Sequence, residues 1–131
     1  MNDVYLKWYS EDKAIYGLAV YNILIEYFFC CLESNTFPKW IDIRIFHSYY
    51  EHMKLFRLAL TWMRDEKIII NKEIICKLFH KLEDVCLITR NLVIKYNILN
   101  TIDIFKKIKG NLVYTKEQEE IAIKLLIEQL K

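Results

Sequence analysis

Residues 14–32, AIYGLAVYNILIEYFFCCL, make a stretch in which Asn22 and Glu26 alone are strongly polar apart from tyrosine hydroxyls and thiols. Its length approaches what a membrane-crossing helix requires. Glu26 lies towards the middle, however, and a carboxylate at that depth costs on the order of 3 kcal/mol to insert. No strongly basic flank sets an orientation either. The stretch therefore reads as a helix apolar around most of its girth, central in a bundle or packed against a partner. Ser10 followed by Glu11 and Asp12 supplies an N-cap and an acidic first turn, and the helix is expected to run to about Glu33.

Working outward, the polar insert Glu33-Ser34-Asn35-Thr36 ends that pattern, and Pro38 suits the first turn of the next helix. From Trp40 onward Ile41, Ile45, Tyr49, Met53, Phe56, Leu60 and Met63 recur at helical spacing. They form either one long helix or two with a break near Tyr49-Tyr50, and length favours the break. Arg64-Asp65-Glu66-Lys67 interrupts the stripe with charge. Ile68 to Ile70 would suit a strand, yet no second strand is present to pair with it. Asn71 is placed to cap a helix carrying Ile74, Ile75, Leu78, Phe79 and Leu82.

Thr89 then opens a short helix through Tyr96, with Asn97 as its left-handed C-terminal residue. Asn100 or Thr101 starts another, carrying Ile102, Phe105 and Ile108 and ending at Gly110. Thr115 with Gln118 makes a capping box for a last helix bearing Ile121, Leu125 and Leu126. The expectation is one all-α domain over residues 1–131: a compact bundle of about seven to eight helices in stacked antiparallel hairpins. Composition agrees. Of 131 residues 54% are hydrophobic, while two glycines and one proline are too few for the turns of a multi-stranded β fold. The same poverty leaves no glycine-rich loop to cradle a phosphate.

Charge and cysteines bound the partners. A net charge of +2, with basic residues scattered and densest at Lys106, Lys107 and Lys109, suits a solvated helix face better than a nucleic-acid footprint. Cys30, Cys31, Cys76 and Cys86 contain no CxxC pair, and no secretory leader is recognisable. They are expected to be reduced, mostly buried thiols in an intracellular compartment. His47 and His52, five apart, diverge around a helix and cannot chelate together. Cys76 and His80 supply two ligands, too few for zinc. Cys86 sits in an apolar run that raises a thiol pKa. The carboxylate pairs Asp65-Glu66, Glu83-Asp84 and Glu119-Glu120 read as solvated charge at helix ends or turns. No catalytic constellation emerges, and neither an enzyme nor a cofactor is expected.

A pattern covers the C-terminal part of the chain. From Lys77 it runs KLFHKLEDVCLITRNLVIKYNILNTIDIFKKIKG, then a variable loop, then EQEEIAIKLLIEQLK. Leu82, Ile88-Thr89, Asn97-Ile98-Leu99, Thr101 to Lys107 and Ile121-Ala122 through Leu130 follow one another in an order that resembles the N-terminal domain of the elongation factor TFIIS and its relatives. Upstream, Leu60-Thr61-Trp62-Met63, then Asn71-Lys72-Glu73 and Leu78-Phe79, is similar to the IWS/Spn branch of that family, and Pro38-Lys39 matches a Pro-Lys that opens a helix there. The chain departs at Asn97 and Leu99, where family members usually carry glycines.

The resemblance implies a TFIIS-N-terminal-domain or HEAT-like arrangement, with N-terminal helices in 1–54 and the family core in 55–131. It implies a non-enzymatic nuclear docking module of the RNA polymerase II elongation machinery. The implied partner is a suppressor-of-Ty-type histone chaperone, bound through a short disordered acidic and aromatic segment, without direct contact to nucleic acid or membrane. The implied notch lies between the loop Met63, Arg64, Asp65 to Lys67 and the loop Lys109 to Val113, which includes Asn111 and Leu112. Ile104 and Phe105 would line it, Asn100 would sit at its edge, and Lys67, Lys106 and Lys109 would steer the peptide. Trp62 is expected in the core. A different class of reading is a viral or microbial helical bundle that takes a host helix in an apolar groove formed around residues 15–29. A third, an RNA-binding helical module, needs a continuous basic face.

Overall fold

The computed structural model describes residues 13–66 and 72–129. They form four helices: α1, Lys13–Ser34; α2, Ile43–Asp65; α3, Lys72–Leu99; and α4, Ile102–Gln129. The chain is all-helical among the described residues, as expected, but with four long helices in place of seven or eight short ones. The expected caps at Ser10 and Asn71, and the segment Ile68 to Ile70, lie outside the described residues.

The two breaks read at polar inserts are real. After α1, Asn35 takes a left-handed backbone (φ 53°) and the Thr36 N–H returns to the Cys31 carbonyl at 3.1 Å. That is the C-terminal lock of a helix whose next residue can tolerate positive φ. α2 ends at the charged insert, where the Glu66 N–H donates to the Trp62 carbonyl at 2.9 Å.

The breaks expected inside the long helices do not occur, each for a local reason. The Thr89 hydroxyl donates to the Val85 carbonyl and the Thr115 hydroxyl to the Asn111 carbonyl, both at 2.7 Å. These threonines spend their hydroxyls on the preceding turn and cap nothing. Gly110 lies within α4 with open space around it. A glycine inside a helix costs about 1 kcal/mol relative to alanine, which the packing of α4 outweighs. Asn97 stays helical, and the left-handed residue is Asn100 (φ 53°), whose N–H bonds the Tyr96 carbonyl at 2.7 Å. α2 runs unbroken through Tyr49-Tyr50, so the division expected between residues 54 and 55 falls within one helix. Pro38 precedes α2 in the connection, and the N-cap is Asp42, whose carboxylate accepts from the Arg44 N–H at 3.0 Å.

The helices alternate in direction. Only two residues join α3 to α4. Phe28, near the end of α1, stacks on Phe105, near the start of α4, at 4.3 Å between ring centroids. Phe46 shares a cluster with Val93 and Tyr96, while Leu60 shares another with Ile75 and Phe79. The result is an up-down-up-down bundle. α2 packs closely on α3, α3 on α4, and α1 closely on α4 alone.

Two apolar clusters fill the interior. The first draws Tyr21 and Phe28 from α1, Ile41 from the connection, Phe46 from α2, Val93 and Tyr96 from α3, and Ile104, Phe105, Ile108 and Leu112 from α4. The second joins Met53 and Leu60, Ile75, Phe79, Leu82 and Cys86, and Ala122 and Leu126, from α2, α3 and α4.

Candidate functional site

The residues assigned to a notch fall at two ends of the bundle. Ile104, Phe105 and Leu112 are buried in the first cluster, while Met63 packs half-buried on the second. Phe105 and Ala122, which mark the two clusters on α4, are about 25 Å apart at 1.5 Å per residue. Arg64 and Asp65 are exposed at the end of α2, with Nε and Oδ1 3.6 Å apart. Lys67 lies outside the described residues. Lys109, Asn111 and Val113 are half-buried in the continuous helix α4, so no loop stands between Lys109 and Val113. Asn100 holds the α3–α4 turn, its side-chain amide donating to the Lys39 carbonyl at 3.2 Å and the Tyr96 carbonyl at 2.8 Å.

Two expected site residues do come together with an aromatic partner. Lys109 Nζ lies 5.0 Å from the centroid of the half-exposed Phe29 ring, a cation–π contact. Exposed Ile102 and Lys106 share that side of α4 at i, i+4 and i+7 spacing with Lys109.

Trp62, expected in the core, is 58% exposed. It ends a row on the outer side of α2: Ile45, Ser48, His52, Leu55, Ala59 and Trp62, all exposed, spaced alternately by three and four residues. Leu58 lies beside the row, also exposed. This is the spacing of a seam that receives another helix, and no charged group interrupts it at neutral pH. The inner side of the same helix carries Phe46, Met53 and Leu60. Partial desolvation of the His52 ring, which packs on Phe56 while its edge stays exposed, holds its pKa below the usual imidazole value and favours its neutral form in that row.

Two carboxylates read as solvated are buried. Glu83 is 7% exposed and is bound by Arg57 of α2 through Nε and, at 3.4 Å, through Nη2. Glu119 is 6% exposed, and its Oε2 has no hydrogen-bond partner. Both sit inside long helices on inward faces, which the expected helix breaks had concealed. Cys86 is buried, and burial pushes its thiol up to about 12, in line with its apolar run; Cys30 is exposed, and Cys31 and Cys76 are half-buried. All four thiols are free.

An open cleft of about 330 Å³ lies between α2 and α3, bordered by Arg57, Thr61, Cys76, His80, Lys81 and Asp84. His80 Nε2 faces Asp84 Oδ2 at 3.8 Å, both exposed. Among the described residues no three His, Cys, Asp or Glu side chains gather as a metal site, and no helix is long and apolar enough to cross a membrane. No family model, curated protein or solved structure matches the chain.

Proposed function

We propose that the chain is a non-enzymatic docking module that receives an amphipathic helix of a partner protein along the outer face of α2. The observation that carries this reading is the uncharged row from Ile45 to Trp62 with its alternate spacing of three and four. Leu55 is 64% and Trp62 58% exposed. Large apolar groups held in register on a rigid helix lose little entropy on binding and supply the anchors of an interface. The row favours a helical occupant because only a helix repeats side chains at the matching period. The apolar face read around residues 15–29 of α1 turns Tyr21 and Phe28 into the bundle and leaves Ile23, Tyr27 and Phe29 exposed, but exposed Glu26 interrupts it, and the longer uncharged row lies on α2.

Selection of a displayed library of amphipathic helices against the chain tests this. Selected helices should lose at least about tenfold in affinity on Leu55→Lys or Trp62→Lys, with helix content unchanged. Binders indifferent to both substitutions, or none at all, overturn it. Sedimentation of the chain alone distinguishes a second copy as the occupant.

A second reading is favoured by Lys109 over Phe29, with Lys106 and Ile102 alongside. We propose this rim as the place where an acidic, aromatic-bearing segment would dock if the chain serves the elongation machinery in the nucleus, as the resemblance implies. Its support is the sequence pattern together with this cluster. Calorimetric titration with the N-terminal segment of a suppressor-of-Ty chaperone should give an affinity on the order of tens of micromolar, weakened by salt and by Lys106→Glu or Lys109→Glu. Absence of heat at low salt sinks it.

A further inference from the structure

Where α1 meets the other helices, the interior is not purely apolar. Tyr21 of α1, 1% exposed, stacks on Tyr49 of α2 with ring centroids 4.4 Å apart. Neither hydroxyl has a hydrogen-bond partner, although both oxygens are buried. Between them and α3 and α4 lies a cavity of about 10 Å³, bordered by Cys86, Thr89 and Thr115 as well as the two tyrosines. That is about the space of one water molecule. Glu119 follows Thr115 one turn along α4, with Oε2 also unpartnered. Two of these three unpartnered oxygens, those of Tyr21 and Tyr49, border the cavity, whose lining is otherwise largely apolar and includes Phe46 and Leu112; the third, on Glu119, lies one turn beyond Thr115.

We propose that the docking of α1 is governed by a proton on Glu119: the neutral carboxyl lets Tyr21 seat, and the carboxylate releases α1.

Among the described residues, the titratable groups that interact with Glu119 are neutral or acidic. α1 contributes the Tyr21 hydroxyl, α2 the Tyr49 hydroxyl and α3 the Cys86 thiol, while Glu120 adds a like charge on α4 itself. Burial raises the carboxyl to about 7, the Tyr21 hydroxyl opposing and Glu120 adding to the rise. Burial likewise holds both phenols well above their usual range, so neither supplies a counter-charge. A protonated carboxyl is a donor as well as an acceptor and can satisfy a phenol oxygen, directly or through one water. Once ionised, it must be rehydrated, and its proton passes to bulk water.

The helix that yields is α1, because it packs closely along α4 alone and meets α2 only through side chains such as Tyr21 on Tyr49, whereas α2, α3 and α4 are paired closely in sequence and share the second cluster. Local opening follows the weakest attachment. The sign follows from the raised value: docked α1 binds the proton more tightly than released α1. Docking is therefore fully favoured below the ordinary carboxyl value of 4.5 and is lost as pH rises through about 7.

Amide hydrogen exchange of the full chain, with rates normalised for the intrinsic pH effect, tests the switch. Between about pH 5 and pH 8.5, protection of residues 20–32 should fall by on the order of a hundredfold while that of α3 holds. Glu119→Gln should keep α1 protected at both pH values. A carboxyl carbon NMR titration of the wild-type chain should place Glu119 near neutrality whether or not the variant folds. Uniform loss across all helices, pH-independent protection of α1, or a Glu119 midpoint in the ordinary carboxyl range each overturns the proposal.

Discussion

At one end of the bundle the 35–42 connection is tied down by polar groups of α3. Tyr96 donates to the Pro38 carbonyl, and Asn97 accepts from the Ile41 N–H at 2.7 Å while donating to the Ile41 carbonyl at 2.9 Å. Beneath these bonds Phe28, Phe37 and Tyr96 converge on Phe105. The opposite end has no such clasp among the described residues. It is held by the stacked pair Phe56 and Phe79, by Leu60 and Leu126, and by the ion pair of Arg57 with Glu83 across α2 and α3. Directional bonds fix the register of the first end, while the second relies on shape. Truncating apolar groups should hurt both ends, but only the first should transmit the damage to α1.

The largest effect tests that asymmetry. Phe105 is fully buried, with ring centroids of Phe28, Phe37 and Tyr96 at 4.3, 5.2 and 5.4 Å. Phe105→Ala should cost about 3–5 kcal/mol in urea unfolding and strip α1 of exchange protection before α3. Phe79→Ala, in a ring equally buried, should cost a similar amount while the protection of α1 relative to α3 is unchanged. Equal loss in α1 from both variants would mean that the two ends are one cooperative unit.

Next in size is the ion pair of the second end. Arg57→Ala leaves the Glu83 carboxylate buried and without its cation, and should cost about 2–4 kcal/mol in thermal unfolding. Replacing both partners, as Arg57→Met with Glu83→Leu, should cost less than the single change, because no orphaned charge remains. If the double variant is the weaker, the pair contributes more than its own desolvation.

The clasp of the first end comes third. Asn97→Ala removes both partners of the Ile41 backbone and should cost about 1–3 kcal/mol, read as a shift in urea midpoint. Asn91→Ala, exposed on the same helix, should stay within about 0.5 kcal/mol.

The sequence made the outer limits of the helices readable and hid their continuity. Runs such as Glu33–Thr36 and Arg64–Lys67 cluster several polar residues and do end helices. Isolated signals are ambiguous, since a threonine can cap a helix or bond its own preceding turn, and which occurs depends on packing four residues away. Thr89, Thr115 and Gly110 were decided by the partners of α3 and α4. Glu83 and Glu119 became visible only once those helices were continuous, because continuity turns both carboxylates inward. Lys106 was legible as an exposed cation; Phe105 could not be assigned to core or surface by periodicity alone.

Trp62 is the hardest case for sequence reasoning, and its substitution should have the smallest effect on stability. α2 is apolar on two sides, so a hydrophobic period gives no means of choosing which side meets the bundle. Leu60 is 1% exposed and Trp62, two residues on, is 58% exposed. Leu60→Ala should therefore cost about 2–5 kcal/mol, whereas Trp62→Ser should leave the urea midpoint within about 0.5 kcal/mol of wild type. The larger side chain is the one whose loss the fold should ignore. Should Trp62→Ser instead destabilise like Leu60→Ala, the outer side of α2 belongs to the core and is not free to receive a partner. Should stability hold while binding of a selected helix disappears, α2 serves two interfaces: an inner one that closes the bundle and an outer one built for another chain.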